Sequence, residues 1–187
     1  MKISIMDRAK KKKFVAGLAN LGMKKIPQML VKSGKERVRA FSGSMNKDEL
    51  YDFWRLMPIE GVGLYVGKDM VNRNGVREIR LSLDGMHVWK DQLTEKNLVL
   101  TEEQEEEWFK GNNIELNDEQ KKEFGGVMAA RGILSKEGTK VPSSSGRFVC
   151  VKSADGKDFV GNGKLGAGAE TLFGFLPKER RRKSQTI

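Results

Sequence analysis

The run Val76-Arg-Glu-Ile-Arg-Leu-Ser-Leu-Asp84 alternates cleanly, with Ile79, Leu81 and Leu83 on one side and Arg80, Ser82 and Asp84 on the other. A period of two marks a strand with one buried and one solvated face, and such a strand needs neighbours to pair with and a layer to cover it. GVGLYVG, residues 61–67, supplies one neighbour across a loop containing Asn74-Gly75. QMLVKSGKERVRAF, residues 28–41, supplies two more, folded as a hairpin around Ser33-Gly34-Lys35. In its second arm Val38 and Ala40 alternate with Arg37 and Arg39, giving a basic strand face. Asn46 followed by Glu49 is a capping-box start, after which Leu50, Trp54 and Met57 share one helical face until Pro58 stops the helix. Residues 28–85 are therefore expected to form a small α+β domain.

Residues 8–25 place Phe14, Leu18 and Leu21 at i, i+4 and i+7 with lysines around them. This stretch, within a segment 1–27, reads either as a surface helix docked by that stripe or as a flexible basic arm. It is too short and too polar for a signal peptide, and no run approaches the roughly 20 apolar residues of a membrane span. No membrane partner is expected.

Charge is distributed unevenly. Residues 1–40 carry twelve Lys/Arg against Asp7 and Glu36, a net of +10 that equals the charge of the whole 187-residue chain. Lys178, Arg180, Arg181, Arg182 and Lys183 against Glu179 make a second basic cluster, whereas residues 95–123 hold ten acids against four bases. Basic clusters suit a polyanion, because each neutralised phosphate releases condensed counterions. Much of the acidic block is helix chemistry: Thr101-Glu-Glu-Gln104 is a capping box, acids in the first turn favour the positive end of the helix, and Gly111 is placed to end it. Leu98 to Leu100 precede it as a short strand. Residues 117–146, polar and containing Gly and Ser, with a short apolar patch at Val127–Ala130, read as a loop or insertion with one helical turn. GRFVCVK and DFVGNGK then form two strands around Ser153-Ala154-Asp155-Gly156-Lys157, followed by a last strand in TLFGF, a proline and a basic tail.

Enzymatic signals fail on context. Gly161-Asn-Gly163-Lys-Leu-Gly166 matches the spacing of a dinucleotide-binding loop, but only 21 residues follow it. Those residues cannot supply the helix and second parallel strand that such a loop requires. A turn or bulge accounts for the glycines better. Cys150, the single cysteine, lies in an apolar strand and reads as a core thiol, and one Cys with one His cannot close a zinc site. His87 has no second histidine or paired carboxylate beside it in the sequence. Trp54 and Trp108 sit at helical spacing among apolar residues and read as core. No catalytic group and no cofactor is expected.

KNLVLTEEQEEEWFKGNNIEL, followed after the insertion by GRFVCVK and DFVGNGK, resembles a PUA domain, the small RNA-binding β-barrel named after pseudouridine synthases and archaeosine transglycosylases. The shared pattern is a helix ending in lysine and glycine, a strand after that glycine, and a Gly-x-Gly-Lys pair in the later hairpin. LFGFLPKERR, with KERVRAFSG, IEGVGLYVG and REIRLSLDG in the first half, more narrowly resembles archaeal stand-alone PUA proteins. Those are related to the C-terminal region of the nucleolar-protein/Sun family of RNA cytosine-5 methyltransferases. The methyltransferase domain and its paired cysteines are absent, so that activity is not carried over.

The resemblance implies an α+β protein with a pre-PUA-like N-terminal domain and a PUA-type mixed β-barrel over residues 86–182, interrupted by an insertion at 118–146 and followed by a tail at 183–187. It implies RNA binding at Lys110, Gly111, Asn112 and Asn113 in the glycine loop. Gly161, Gly163 and Lys164 on the hairpin, and Lys178, Arg180, Arg181 and Arg182 at the closing strand and tail, complete the implied surface. Glycine permits close approach of a sugar-phosphate backbone, asparagine pairs with base edges or 2′-hydroxyls, and the cations meet phosphates. The expected partner is structured rRNA or tRNA, in ribosome biogenesis or RNA modification in the cytoplasm, alongside a modifying enzyme or ribosomal assembly complex. Two other readings stand beside it: a protein-interaction factor of such a complex, and a divergent RNA-modifying enzyme.

Overall fold

A computed structural model describes residues 3–57, 61–72, 75–129, 133–134, 140–141 and 148–182, with the backbone alone at 126–129, 133–134, 140–141 and Ala167. Pro58, Asn74, most of 130–147 and the tail from Lys183 lie outside the described residues. The chain is mixed α+β and divides into two compact units, Met1–Glu95 and Lys96–Ile187.

The first unit is a five-stranded antiparallel meander in sequence order: β1 (Ile3–Ile5), β2 (Met29–Ser33), β3 (Arg37–Phe41), β4 (Leu64–Val71) and β5 (Arg77–Leu81). The alternation predicted in β3 and β5 appears as burial of Val38, Ala40, Ile79 and Leu81. The N-terminal segment is an integral part of this unit: β1 pairs with β2, and helix α1 (Arg8–Gly17) follows, with Asp7 accepting the Lys10 N–H at 2.8 Å as N-cap. Phe14, Leu18 and Leu21 are all buried, and the Lys11 ammonium donates to the Gln28 carbonyl at 2.9 Å. The surface-helix reading of the arm is the one realised.

Helix α2 (Lys47–Leu56) has the predicted reciprocal capping box of Asn46 and Glu49. Its expected packing face is shorter than the sequence suggests, since Leu50 is buried, Trp54 is half-buried and Met57 is exposed. The first two turns anchor it, through Leu50 and through the Tyr51 hydroxyl, which accepts the Ile5 N–H at 3.3 Å. Strand β5 stops earlier than its alternation, because the Ser82 hydroxyl accepts the Gly85 N–H and caps a short helix, α3 (Leu83–Val88). Met86 and Trp89, which the sequence suggested as the start of the second half, are buried in the first unit, where the Trp89 indole N–H reaches Gln28 Oε1 at 3.2 Å.

The second unit contains β6 (Leu98–Val99), helix α4 (Glu102–Lys110), β7 (Ile114–Glu115), helix α5 (Asp118–Ala129), β8 (Ile133–Leu134), β9 (Lys140–Val141), β10 (Phe148–Lys152), β11 (Phe159–Leu165) and β12 (Thr171–Gly174). Its main sheet runs β6-β10-β11-β12-β7, antiparallel except for the parallel β6–β10 pair, and β8 pairs with β9 alone. Leu98, Trp108, Ile114, Phe124, Val151, Leu165 and Leu172 belong to one core cluster.

Residues 118–129 are a helix of three turns, where the sequence suggests a loop or insertion with a single helical turn. What turns a polar segment into a docked helix is Phe124, buried in the core, and Gln120, whose amide is bonded on both sides. Gln120 Nε2 donates to the Val99 carbonyl at 2.8 Å and to Gln104 Oε1 at 2.9 Å, while its Oε1 accepts from Asn117 N and Gln104 Nε2.

The GNGKLG stretch is strand rather than loop: β11 covers Gly161 to Leu165, and its residues alternate between buried and half-buried. A register shift opposite Val151 and Lys152 puts the expected bulge beside Gly161.

Candidate nucleic-acid interface

Helix α4 is the organising element of the second unit. Its capping box joins Thr101 to Gln104, and it ends at Gly111, whose φ of 88° lies in the left-handed region. The Gly111 and Asn112 N–H groups turn back on the Trp108 and Glu107 carbonyls, closing the helix end. That reversal exposes Asn112 and Asn113 before β7 begins.

The basic C-terminal segment returns to this turn. After Pro177 a single 3-10 turn, Lys178–Arg180, leads to Arg181, whose guanidinium donates from Nε and Nη2 to the Leu176 carbonyl at 3.2 Å. A Cβ on Gly111 would fall 2.5 Å from Arg181 Nε, so the absence of a side chain there is what lets the guanidinium lie across the helix end. Arg182 N donates to the Phe109 carbonyl at 2.7 Å, and its guanidinium stands 5.1 Å over the Phe109 ring. Gly111 and Phe109, at the end of α4, are thus brought beside Arg181 and Arg182.

The side chains of this group are not all directed outward. Glu107 binds Lys110 Nζ through one oxygen and Asn112 Nδ2 through the other, each at 2.6 Å. The Lys110 hydrogen bond, with help from Asn112, holds the Glu107 carboxyl below its usual range, and the same bond raises Lys110. Arg182 borders a groove otherwise lined by Glu102, Glu105, Glu106, Ser153, Ala154, Asp155 and Asp158, where a phosphate would meet carboxylates. Lys178, Arg180 and Arg181 are exposed.

The hairpin glycines have an interior role. A Cβ on Gly161 would come within 2.8 Å of the Trp108 ring, and one on Gly163 within 2.5 Å of a Leu172 methyl. Both glycines are buried, and Trp108, itself 1% exposed, donates its indole N–H to the Val160 carbonyl at 3.3 Å. They are small because the core side chains press against the strand, and through Trp108 they support the helix that carries Lys110. The alternation of β11 puts Lys164 on the opposite face from Gly163, where its ammonium stands 5.3 Å over the Phe148 ring.

Other sequence candidates resolve simply. Cys150 is buried, and burial pushes its thiol up to about 12, where thiolate chemistry near neutral pH is suppressed. His87 is exposed in the last turn of α3. Among the described residues no helix is long and apolar enough to cross a membrane. The sequence reading did not single out Phe109 or Glu107, although Glu107 and Lys110 carry the i, i+3 spacing of a helical ion pair that could have signalled them.

No protein-family model matches the chain, and no curated protein matches it.

Proposed function

We propose that this chain is a non-catalytic RNA-binding protein of the PUA type, which docks on structured rRNA or tRNA in the cytoplasm. In this reading it acts in ribosome biogenesis or beside an RNA-modifying enzyme. The observation that carries the reading is the contact of Arg181 with Gly111, which joins the basic C-terminal segment to the helix-end glycine turn. The αL turn with no side chain lets the Arg181 guanidinium lie over the helix end, where it can meet a phosphate, the exposed Asn113 amide can bond base edges or 2′-hydroxyls, and the neighbouring cations supply further phosphate contacts. Lys164, on the outer side of β11, adds a cation to the same unit.

The test is affinity for a structured RNA as a function of salt. Binding should weaken steeply, the slope of log K against log salt counting the neutralised phosphates at about 0.7 to 0.9 each. Joint replacement of Arg180, Arg181 and Arg182 by Gln should lower affinity for all RNA sequences similarly and reduce that slope. A salt-independent affinity would remove the main support, and an unchanged affinity of the triple variant would move the interface elsewhere.

A further inference from the structure

The charge of this protein does not reside mainly in the unit that carries the PUA-like features. The first unit, Met1–Glu95, holds nineteen Lys/Arg against eleven Asp/Glu, so eight of the ten net positive charges lie there and only two in Lys96–Ile187. A polyanion drawn to this chain by charge is drawn chiefly to the first unit.

Its sheet gives that charge a geometry. Arg37 on β3 lies directly opposite Lys68 on β4, and Lys68 lies directly opposite Arg80 on β5. Register partners in antiparallel strands share a face, so three cations form one rung across three adjacent strands. Arg39 points to the same face two residues along β3, where its Nη1 donates to the Gly63 carbonyl at 2.9 Å. Arg37 is exposed, and Lys68 and Arg80 are partly so. Among the described residues, acids on this side include Glu36, 3.6 Å from Lys68, and Glu78, the register partner of Met70; Glu78 Oε1 accepts from Asn72 Nδ2. Like charges directly opposite one another weaken a sheet, so this rung costs folding stability that a neutral rung would not.

We propose that the Arg37–Lys68–Arg80 rung is a second RNA contact, a phosphate-binding surface on the first unit for the backbone of the same RNA. The inference rests on the RNA-binding reading above and adds a site which that reading does not contain. Three neighbouring strands place the rung's cations over about 10 Å. Over that length a nucleic-acid strand presents about two to three phosphates. Arg37, Lys68 and Arg80 each bring one positive charge to this surface, and charge is what a phosphate backbone engages here. The rung reads charge and spacing, not sequence.

The experiment compares full-length variants binding unfractionated transfer RNA across a salt series, with thermal unfolding followed in parallel. R37Q/K68Q/R80Q should bind about 10- to 100-fold more weakly at moderate salt, with a salt slope lower by about two to three, and should unfold at the same temperature or higher. The charge-preserving R37K/K68R/R80K should bind like the wild type, and K68E alone should weaken binding if the neutral triple variant proves poorly folded. Wild-type affinity and slope in the neutral variant would overturn the proposal, as would equal losses in the neutral and charge-preserving variants. If the wild type binds and R180Q/R181Q/R182Q weakens it while the rung variants do not, only the present inference falls. If the wild type fails to bind this RNA at any salt, the RNA-binding reading falls and this inference with it.

Discussion

Glu107 holds Lys110: its Oε1 accepts from the lysine Nζ at 2.6 Å, one helical turn apart at the exposed end of α4. Its other oxygen occupies Asn112. The carboxylate therefore stands where a phosphate would be bound in the proposed interface, competing for the same donors. Replacing Glu107 by Gln removes the competing charge while keeping the shape. RNA affinity should rise by about 3- to 10-fold at low salt and by less at high salt, since the gain is electrostatic. Filter binding or fluorescence anisotropy at two ionic strengths measures it. A fall in affinity would mean that Glu107 positions Lys110 and Asn112 rather than masking them.

Gly111→Ala tests the same corner from the backbone. The substitution puts a side chain at a φ of 88° and drives its Cβ onto the Arg181 guanidinium. The left-handed conformation costs a non-glycine residue about 1 to 2 kcal/mol, and displacement of Arg181 adds to it. Chemical denaturation should show a loss of about 1 to 3 kcal/mol. Removing the obstruction with Gly111→Ala/Arg181→Ala should restore less than the whole loss, because the backbone strain stays. Full recovery in the double variant would show that the clash alone had mattered.

What the sequence disclosed follows from how local the determining physics is. Alternation through Leu81, the capping boxes at Asn46 and Thr101 and the helix stop at Gly111 depend on residues within four or five positions, and each appears as a realised element. Strand β1 is only three residues long and exists through pairing with β2, some thirty positions away. No local pattern could announce it. Helix α5 was hidden for a related reason: its Gly-rich, polar sequence resembles a loop, and its place in the fold is set by Phe124 and by the Gln120 amide meeting Gln104 and Val99. At the candidate interface, the approach of Arg181 to Gly111 spans seventy positions, so the sequence could name both residues but only a resemblance could put them together. The packing of Trp108 on Gly161 was equally invisible; without it, those glycines could stand for contact or for turn geometry alike.

Asp69 gives the first unit a pH dependence. Its side chain is 9% exposed and accepts from Arg77 Nε at 2.6 Å and Arg77 Nη2 at 2.8 Å, with Lys32 Nζ 3.3 Å away. Burial alone would raise its pKa, but the Arg77 hydrogen bonds and charge, with Lys32, outweigh that and hold it below the ordinary 3.8. A depressed carboxyl pKa contributes stability that is complete above the unfolded value and is lost as pH falls through the folded one. Stability should be flat from neutrality to about pH 5 and drop below pH 3.8, and Asp69→Asn should flatten that drop. At pH 7 the variant should lose about 2 kcal/mol, the scale of hydrogen bonds to a charged group. Urea denaturation of both proteins at several pH values checks the prediction. Parallel acid limbs in wild type and variant would assign the acid sensitivity to other carboxylates.

Gln120 and Gln104 form a reciprocal amide pair, each donating Nε2 to the other's Oε1 at 3.0 Å and 2.9 Å. The remaining bonds reach four backbone groups: Gln120 to the Val99 carbonyl and the Asn117 N–H, Gln104 to the Glu115 carbonyl and the Thr101 N–H. Two side chains therefore join β6, the start of α5, and β7 to the helix that carries the candidate interface. Gln120 is 8% exposed, so its loss leaves polar groups that water reaches poorly. Gln120→Leu keeps the volume but takes the Gln120 partner from the Val99 carbonyl and the Asn117 N–H, while Gln104 keeps the Glu115 carbonyl and the Thr101 N–H. Each buried group left without a partner costs about 1 to 3 kcal/mol, which sets an expected loss of about 2 to 4 kcal/mol. Gln120→Glu keeps the acceptors and removes the Nε2 donor, while adding a charge beside Gln104 Oε1 and the Val99 carbonyl. It should be at least as destabilising at pH 7 and should recover part of the loss in acid, where the carboxyl, its pKa raised by burial, protonates and donates again. Thermal unfolding at the two pH values separates hydrogen bonding from simple volume: a leucine variant as stable as the wild type would show that α5 is held by Phe124 alone.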